Sequence, residues 1–547
     1  SSSLIMLTSI SRLHVAGIAS TLIIWRASRW LRRYKSKKPV ATAQAPDYLS
    51  WSACALGQAI SKGSLSSSEV VEACIAVLES AQGLNAIATE RFADARREAQ
   101  EADEQAADFR SGKLAWLPPF HGVPIISKEA FEYPGMQYTC GLGARRGIMG
   151  KRKGPLIRRT EEAGFIIIAS GNISEATMWM ESYNRVYGRT SSPFDTSRTP
   201  GGSSGGTAAA VAILGSPVGL TADIGGSTRI PALFCGLFGH KPTGGLIANT
   251  RTHMDNFHGA VCRICQPGMV TRYAEDLLPL LQLIAGPPAA EEDGLADEYI
   301  PRPVWSHQEV DFARLRCVPL SFRGGVPRSA KELPGLLMSR ISKEIAEGQR
   351  QVTAFMKSKG ADIEPKTFED LAVGQWFAAW ADRNQAAGGP TFRQVLCQGP
   401  NTFGVFELVR YMLGRSEHTA PALALALLED VVDMFSPPRD IRLRNATEVA
   451  DLLERALGDY GVFVLPILPQ HGCKHDELLF RMLDSCMTSI WNATECPSTA
   501  VPLGVDSRGL PFGLQIVSKP GNDELTISIA LELSKAGIAK CVRPGHA

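Results

Sequence analysis

TPGGSSGGTAAAVAILGSPVGLTADIGGSTR, residues 199–229, sets two glycine-framed serines, Ser203 and Ser227, 24 positions apart. Glycine on both sides of a serine lets the backbone take positive φ and approach a ligand closely. Backbone N–H groups freed at a strand-to-helix turn can then stabilise an oxyanion. The pattern predicts serine chemistry. GGSSGG alone also reads as a flexible spacer, but the AAAVAI run directly after it is patterned like a packed helix.

Such serines need a base. Of the ten histidines, only His121, His240, His471 and His475 lie near apolar or glycine-rich segments. Lys128 is the better candidate. It ends GVPIISK, in which Val123, Ile125 and Ile126 read as a buried strand, and desolvation favours the neutral amine. A lone strand-end lysine also reads as one that snorkels to water. A rival reading makes Gly202–Gly206 a nucleophile elbow with Ser204 attacking. That motif needs a buried strand before the serine, whereas SSPFDTSRTP is polar and holds two prolines. No cofactor or metal is expected. Gly141-Leu142-Gly143 lacks a third glycine at the right offset, no phosphate-binding loop string occurs, and Cys262–Cys265 is a single isolated C-x-x-C.

Lys128 in GVPIISKEAF, Ser203 in GGSSGG and Ser227 in DIGGSTRIPA together resemble the Ser-Ser-Lys triad of the amidase signature family. FCGLFGHKPTGGLI (234–247), GMVTRYAEDL (268–277) and residues 502–536 continue the likeness in order, so that it covers roughly residues 50–540. Within the family, VYGRTSSPFD (186–195) and the hydrophobic N-terminus are most like the membrane-anchored fatty-acid amide hydrolases. The resemblance implies an α/β fold, with a twisted mixed sheet flanked by helices in an α/β/α sandwich. It implies Ser227 as acyl-enzyme nucleophile, Ser203 as bridging proton relay and Lys128 as general base, with a non-proline cis peptide at Ser203. Ile224, Gly225, Gly226 and Ser227 would offer oxyanion N–H groups at a helix start. Ser204 would fix the loop, and Asp223 with Arg229 would hold the nucleophile turn, Arg229 equally being able to contact substrate. The chain departs from the usual pattern at Thr177-Met178-Trp179-Met180, where the wall of the acyl pocket would begin; bulky apolar residues there suit a lipid tail or a plain core.

The ends of the chain carry a second message. Residues 4–25 are mostly apolar, and residues 1–46 hold eight Lys or Arg and no acid, which leaves the remainder mildly acidic. This reads as a membrane anchor with a basic collar (1–46) before one catalytic domain (47–547), single-pass or monotopic on an endomembrane, with the catalytic domain cytosolic. A transit peptide or a signal peptide are the alternatives, since Arg12 and His14 weaken a span and acids are absent. Twelve irregularly spaced cysteines suggest reduced thiols. A basic collar on an acidic body suits anionic lipid and argues against nucleic acid.

GVPIIS, GFIIIAS, GVFVLPI and FGLQIV read as strands alternating with alanine-rich helices, preceded by a helical region over about 50–110. TFGVFELVRYML (402–413) sets Phe403, Phe406, Val409 and Met412 on one helical face, as core or as a cap dipping into a membrane interface. The expected activity is cleavage of fatty-acid amides, with substrate and membrane lipid as partners and a homodimer left open. The alternatives are a broad amidase, the glutaminase-like component of an amidotransferase, and an inactive membrane interaction protein.

Overall fold

The computed structural model describes residues 45–255, 259–288, 299–305, 309–321, 338–397, 405–435 and 438–545. The expected anchor over 4–25, with its basic flank, lies outside the described residues, as do Phe403 and the side chain of Phe406. Among the described residues, no helix is long and apolar enough to cross a membrane.

An 11-stranded mixed sheet organises the chain. Its strands are β1 (Ile87–Glu90), β2 (Pro124–Lys128), β3 (Ile166–Gly171), β6 (Val218–Asp223), β7 (Phe238–Lys241), β8 (Gln266–Thr271), β9 (Arg316–Pro319), β10 (Asp362–Ile363), β11 (Gly461–Pro466), β12 (Ser498–Val505) and β13 (Pro511–Val517), while β4 (Tyr183–Asn184) and β5 (Gly188–Arg189) form a separate hairpin. The spatial order is β1-β3-β2-β6-β8-β7-β12-β13-β11-β9-β10. β3, β2 and β6 are mutually parallel, as are β11, β9 and β10, and the strands between run antiparallel. All six residues of β3, β6, β8 and β11 are buried, as helices on the faces of a sheet require.

The sheet begins earlier than the sequence reading places it. IATE forms edge strand β1 against β3 in place of a helix start, and the charged helix that follows runs Phe92–Arg110. Before it, Ser66 caps the helix Ser67–Ser80 with a capping box completed by Glu69, and Val70, Val71, Cys74, Ile75 and Leu78 enter the main core. The helix Gly205–Ala212 is wholly buried, and its small residues allow the backbone to approach the sheet: a Cβ on Gly206 would lie 2.2 Å from the Asn172 nitrogen.

A second hydrophobic cluster is built where Trp376, Trp491 and Phe463 meet, with the indole rings of Trp376 and Trp491 edge-on at 5.2 Å. It seats three helices, Trp376–Ala386, Arg439–Leu457 and Cys486–Ala493, against β9, β11 and β13. The helix Val405–Met412 buries Leu408 but exposes Val409 and Met412, and Leu413 follows it 65% exposed.

Candidate active site

The register of the parallel pair β2 and β6 sets Ile126 beside Gly219, so Lys128 reaches the level of the end of β6. There its Nζ donates to Ser203 Oγ at 2.7 Å and to the Ala222 carbonyl at 3.3 Å. Burial lowers its pKa to about 8; the nearby Cys265, Asp223 and Cys140 act in the opposite sense and are outweighed. The lysine therefore does not snorkel: it is fully buried.

Ser203 sits after a cis Gly202–Ser203 peptide, as the resemblance implies. The loop is tied down by a residue the sequence reading missed. Ser182 Oγ donates to the Gly201 and Ser203 carbonyls at 3.1 and 3.2 Å and accepts from the Gly205 N–H at 2.8 Å. Ser204 does not fix the loop through its side chain, because its buried hydroxyl has no hydrogen-bond partner among the described residues. Its backbone N–H instead donates to the Ser227 carbonyl at 3.4 Å. Ser203 and Ser227 are thus brought together, and no Oγ–Oγ hydrogen bond joins them among the described contacts. Such contacts are often loose before substrate binds.

β6 ends in Asp223, whose carboxylate organises the nucleophile turn. It accepts from Gly226 N–H at 2.6 Å and Thr228 N–H at 3.1 Å, and pairs in a fork with Arg229 at 2.9 and 3.0 Å. Burial alone would raise this carboxyl; the Arg229 guanidinium, the Lys241 charge and the Thr228 amide outweigh it and hold it well below the usual carboxylate range. Two expectations change here. Arg229 is not placed to contact substrate: it is fully buried, and two of its three other N–H groups go to Gln515 at 3.0 Å and Asn492 at 2.7 Å. Nor can Gly226 serve the oxyanion, since Asp223 already holds its N–H, leaving the amides of Ile224, Gly225 and Ser227 outside that network. The helix itself starts only at Arg229 and is seven residues long, so these donors belong to the turn before it.

Two further residues aim the turn. Trp380 Nε1–H donates to the Ile224 carbonyl at 2.8 Å, and because a trans peptide is planar, fixing that oxygen points the Gly225 N–H the opposite way. Thr488 Oγ–H holds the Gly225 carbonyl at 2.7 Å. Gly226 takes φ 125°, and a Cβ there would lie 2.4 Å from Thr488 Oγ1. Arg229→Met would leave Asp223 buried and unpaired, which is expected to lower the unfolding free energy by about 3–5 kcal/mol in urea titrations. An unchanged midpoint would show that the pair is dispensable.

Ser227 opens into a cavity of about 640 Å³, within the range of small-molecule pockets. Thr177, Met178, Trp179 and Met180 all line it, together with Ile224 and Gly225. Trp179 and Met180 belong at the same time to the main core, so the two readings of that cluster coincide. Ser489 also lines this space, its hydroxyl buried and without a partner among the described residues.

The Amidase family model matches residues 69–399, more than half of the chain. The protein belongs to the amidase signature family. It is 34% identical over 498 residues to fatty-acid amide hydrolase 2-B of Danio rerio, covering 89% of this chain and 90% of that one. It is 32% identical over 465 residues to fatty-acid amide hydrolase 2 of Homo sapiens, covering 83% and 82%. Its fold matches that of a bacterial aryl acylamidase of the amidase signature family with a TM-score of 0.67 at 20% identity, over 88% of this chain and 96% of that one.

Proposed function

We propose that the protein is a membrane-associated serine hydrolase that cleaves fatty-acid amides to fatty acid and amine. The observation that carries this reading is the buried Lys128–Ser203 hydrogen bond, set beside a serine that opens into a largely apolar cavity. Ser227 Oγ attacks the amide carbonyl, its proton passing through Ser203 to the neutral Lys128 amine. The developing oxyanion is met by the turn amides of Ile224, Gly225 and Ser227. The relay then runs backward and protonates the departing nitrogen, because an amide anion is a very poor leaving group. Water attacks the acyl ester by the same proton path, releasing the fatty acid and restoring Ser227.

The apolar wall over Thr177–Met180 and the names of the two relatives support a lipid acyl group. A broad amidase or the glutaminase-like component of an amidotransferase would share the three polar residues but not require that wall. An inactive interaction protein would have no use for a lysine held fully buried against a serine. Labelling the intact protein with a fluorophosphonate probe, mapping the adduct, and comparing long-chain with short-chain amides tests the proposal. No adduct and no turnover of long-chain amides would overturn it.

The membrane association we propose rests on residues 4–25 and on the exposed Val409, Met412 and Leu413. Deleting residues 1–46 is expected to release part of the protein from vesicles while hydrolysis of a short soluble amide persists. Adding Val409→Asp and Met412→Asp should release the rest in a flotation assay, since each buried aliphatic side chain contributes on the order of 1.5–3 kcal/mol. A truncated protein already wholly free of vesicles would remove the helix Val405–Met412 from the account.

A further inference from the structure

Residues 133–160 contain seven Lys or Arg and no Asp or Glu, within a body that is otherwise mildly acidic. Part of this run forms a loop with two chemistries. Arg145-Arg146 leads into Gly147-Ile148-Met149-Gly150, and Lys151-Arg152-Lys153 follows. Ile148 is 41% and Met149 44% exposed, and Arg146, Lys151 and Arg152 are exposed on either side of them. A lone exposed apolar side chain is ordinary; two in succession between cations of one sign mark an interaction surface.

The loop is pre-formed by backbone bonds. Tyr138 N–H donates to the Ile148 carbonyl and Gly150 N–H to the Met136 carbonyl, each at 2.8 Å. The buried Glu132 carboxylate accepts from the N–H groups of Lys151 and Arg152 at 2.8 and 3.1 Å, so it holds their backbone and not their side chains. Lys153 pairs with Glu161 at 2.8 Å and Arg146 approaches Glu417 at 3.7 Å. The side chains of Lys151 and Arg152 have neither an ion pair nor a hydrogen bond among the described residues. Glu417 also places the loop: it lies just past the helix Val405–Met412 and the exposed Leu413, and a Cβ on Gly143 would stand 2.7 Å from its Oε2.

We propose that the loop 145–153 is a docking surface for an anionic bilayer, with Ile148 and Met149 entering below the headgroups while Arg146, Lys151 and Arg152 meet the lipid anions. The inference rests on the membrane association proposed above and adds to it a lipid preference and a second contact beside the helix Val405–Met412. A nucleic acid or an acidic protein segment would use the cations and leave Ile148 and Met149 without a role. A bilayer uses both, since it offers hydrocarbon directly beneath a layer of phosphates. Such a contact is weak by itself, and stable attachment takes more than one signal, so the loop supplements residues 4–25 and the helix.

The test uses the full-length protein with vesicles of phosphatidylcholine, or of phosphatidylcholine with phosphatidylserine, and reads the partition coefficient by flotation. Lys151→Gln with Arg152→Gln is expected to weaken binding to the serine-lipid vesicles by about ten-fold or more, each cation near such a surface giving about five-fold. Binding to phosphatidylcholine alone should stay as it was, and high salt should erase the difference between the two vesicles. Ile148→Ser with Met149→Ser should weaken binding to both by about ten-fold. Lys357→Gln with Lys359→Gln removes the same charge at the end of the helix Lys343–Ser358, on the β9–β11 side of the sheet, and should change neither. Hydrolysis of a short soluble amide at the wild-type rate shows that each variant is folded. No loss from the loop charges, or an equal loss from both charge pairs, overturns the docking surface while membrane association stands. A loss from the loop charges with none from Ile148→Ser and Met149→Ser overturns the bilayer as its partner in favour of a soluble polyanion. Wild-type protein that binds neither vesicle overturns the membrane association as well.

Discussion

Ser227→Ala is expected to abolish covalent labelling and to reduce amide turnover by about four orders of magnitude or more, because the proposed mechanism runs through an acyl-enzyme on this hydroxyl. Ser227 is the one member of the Lys128, Ser203 and Ser227 set that lines the cavity, and it sits among the turn amides left free for an oxyanion. Ser203 is fully buried behind it and engaged by Lys128. Peptide mapping after fluorophosphonate treatment checks the assignment directly. An adduct on Ser203 or Ser204 would reverse the roles given to the serines.

Lys128→Ala should lower amide hydrolysis by about 10²–10⁴-fold and ester hydrolysis of the same acyl group by less, since an alkoxide departs with less help from a returned proton. Matched losses for ester and amide would count against a shared proton path. The pH dependence has a definite sign. Only the neutral amine can accept a proton, so with a pKa of about 8 the kcat/KM should climb as pH rises through 8 and level off above it. At pH 7 roughly one lysine in ten is neutral, placing the rate about ten-fold below the plateau. The inflection should vanish in Lys128→Ala; its survival there would assign it to another group.

The three candidate residues were legible from local pattern, glycine framing the two serines and an apolar run leading to the lysine. Ser203, Ser227 and the strand-end Lys128 each stand in a local pattern whose physical reason can be stated from a dozen letters. Strands β2, β3, β11 and β13 announced themselves as β-branched apolar runs. β6 did not, although it lies inside the opening motif: VGLTAD mixes glycine, threonine and aspartate, and it is a strand because β2 and β8 enclose it. The supports of the nucleophile turn were hidden for a different reason. Trp380, Thr488 and Asn492 reach it across 156, 263 and 269 positions of chain, and no local pattern marks a partner so distant. One signal was present, an asparagine inside the fully buried helix CMTSIWNA, since a buried amide must find partners. Ser204 ties the loop to the Ser227 carbonyl through its backbone N–H and not through its hydroxyl, a distinction that adjacency in a motif does not reveal.

The indole that braces the Ile224 carbonyl belongs to the same helix that lines the cavity with Asp382, Asn384 and Gln385. Inheritance of substrate range and of turnover is thereby joined in one short piece of chain. A lineage that rewrote this helix to accept a new substrate would tilt the indole and, with it, the Gly225 amide of the turn it braces. Divergence here should therefore proceed by exchanges at positions 382, 384 and 385 while tryptophan persists at 380. Laboratory evolution toward a new headgroup would be expected to follow the same course.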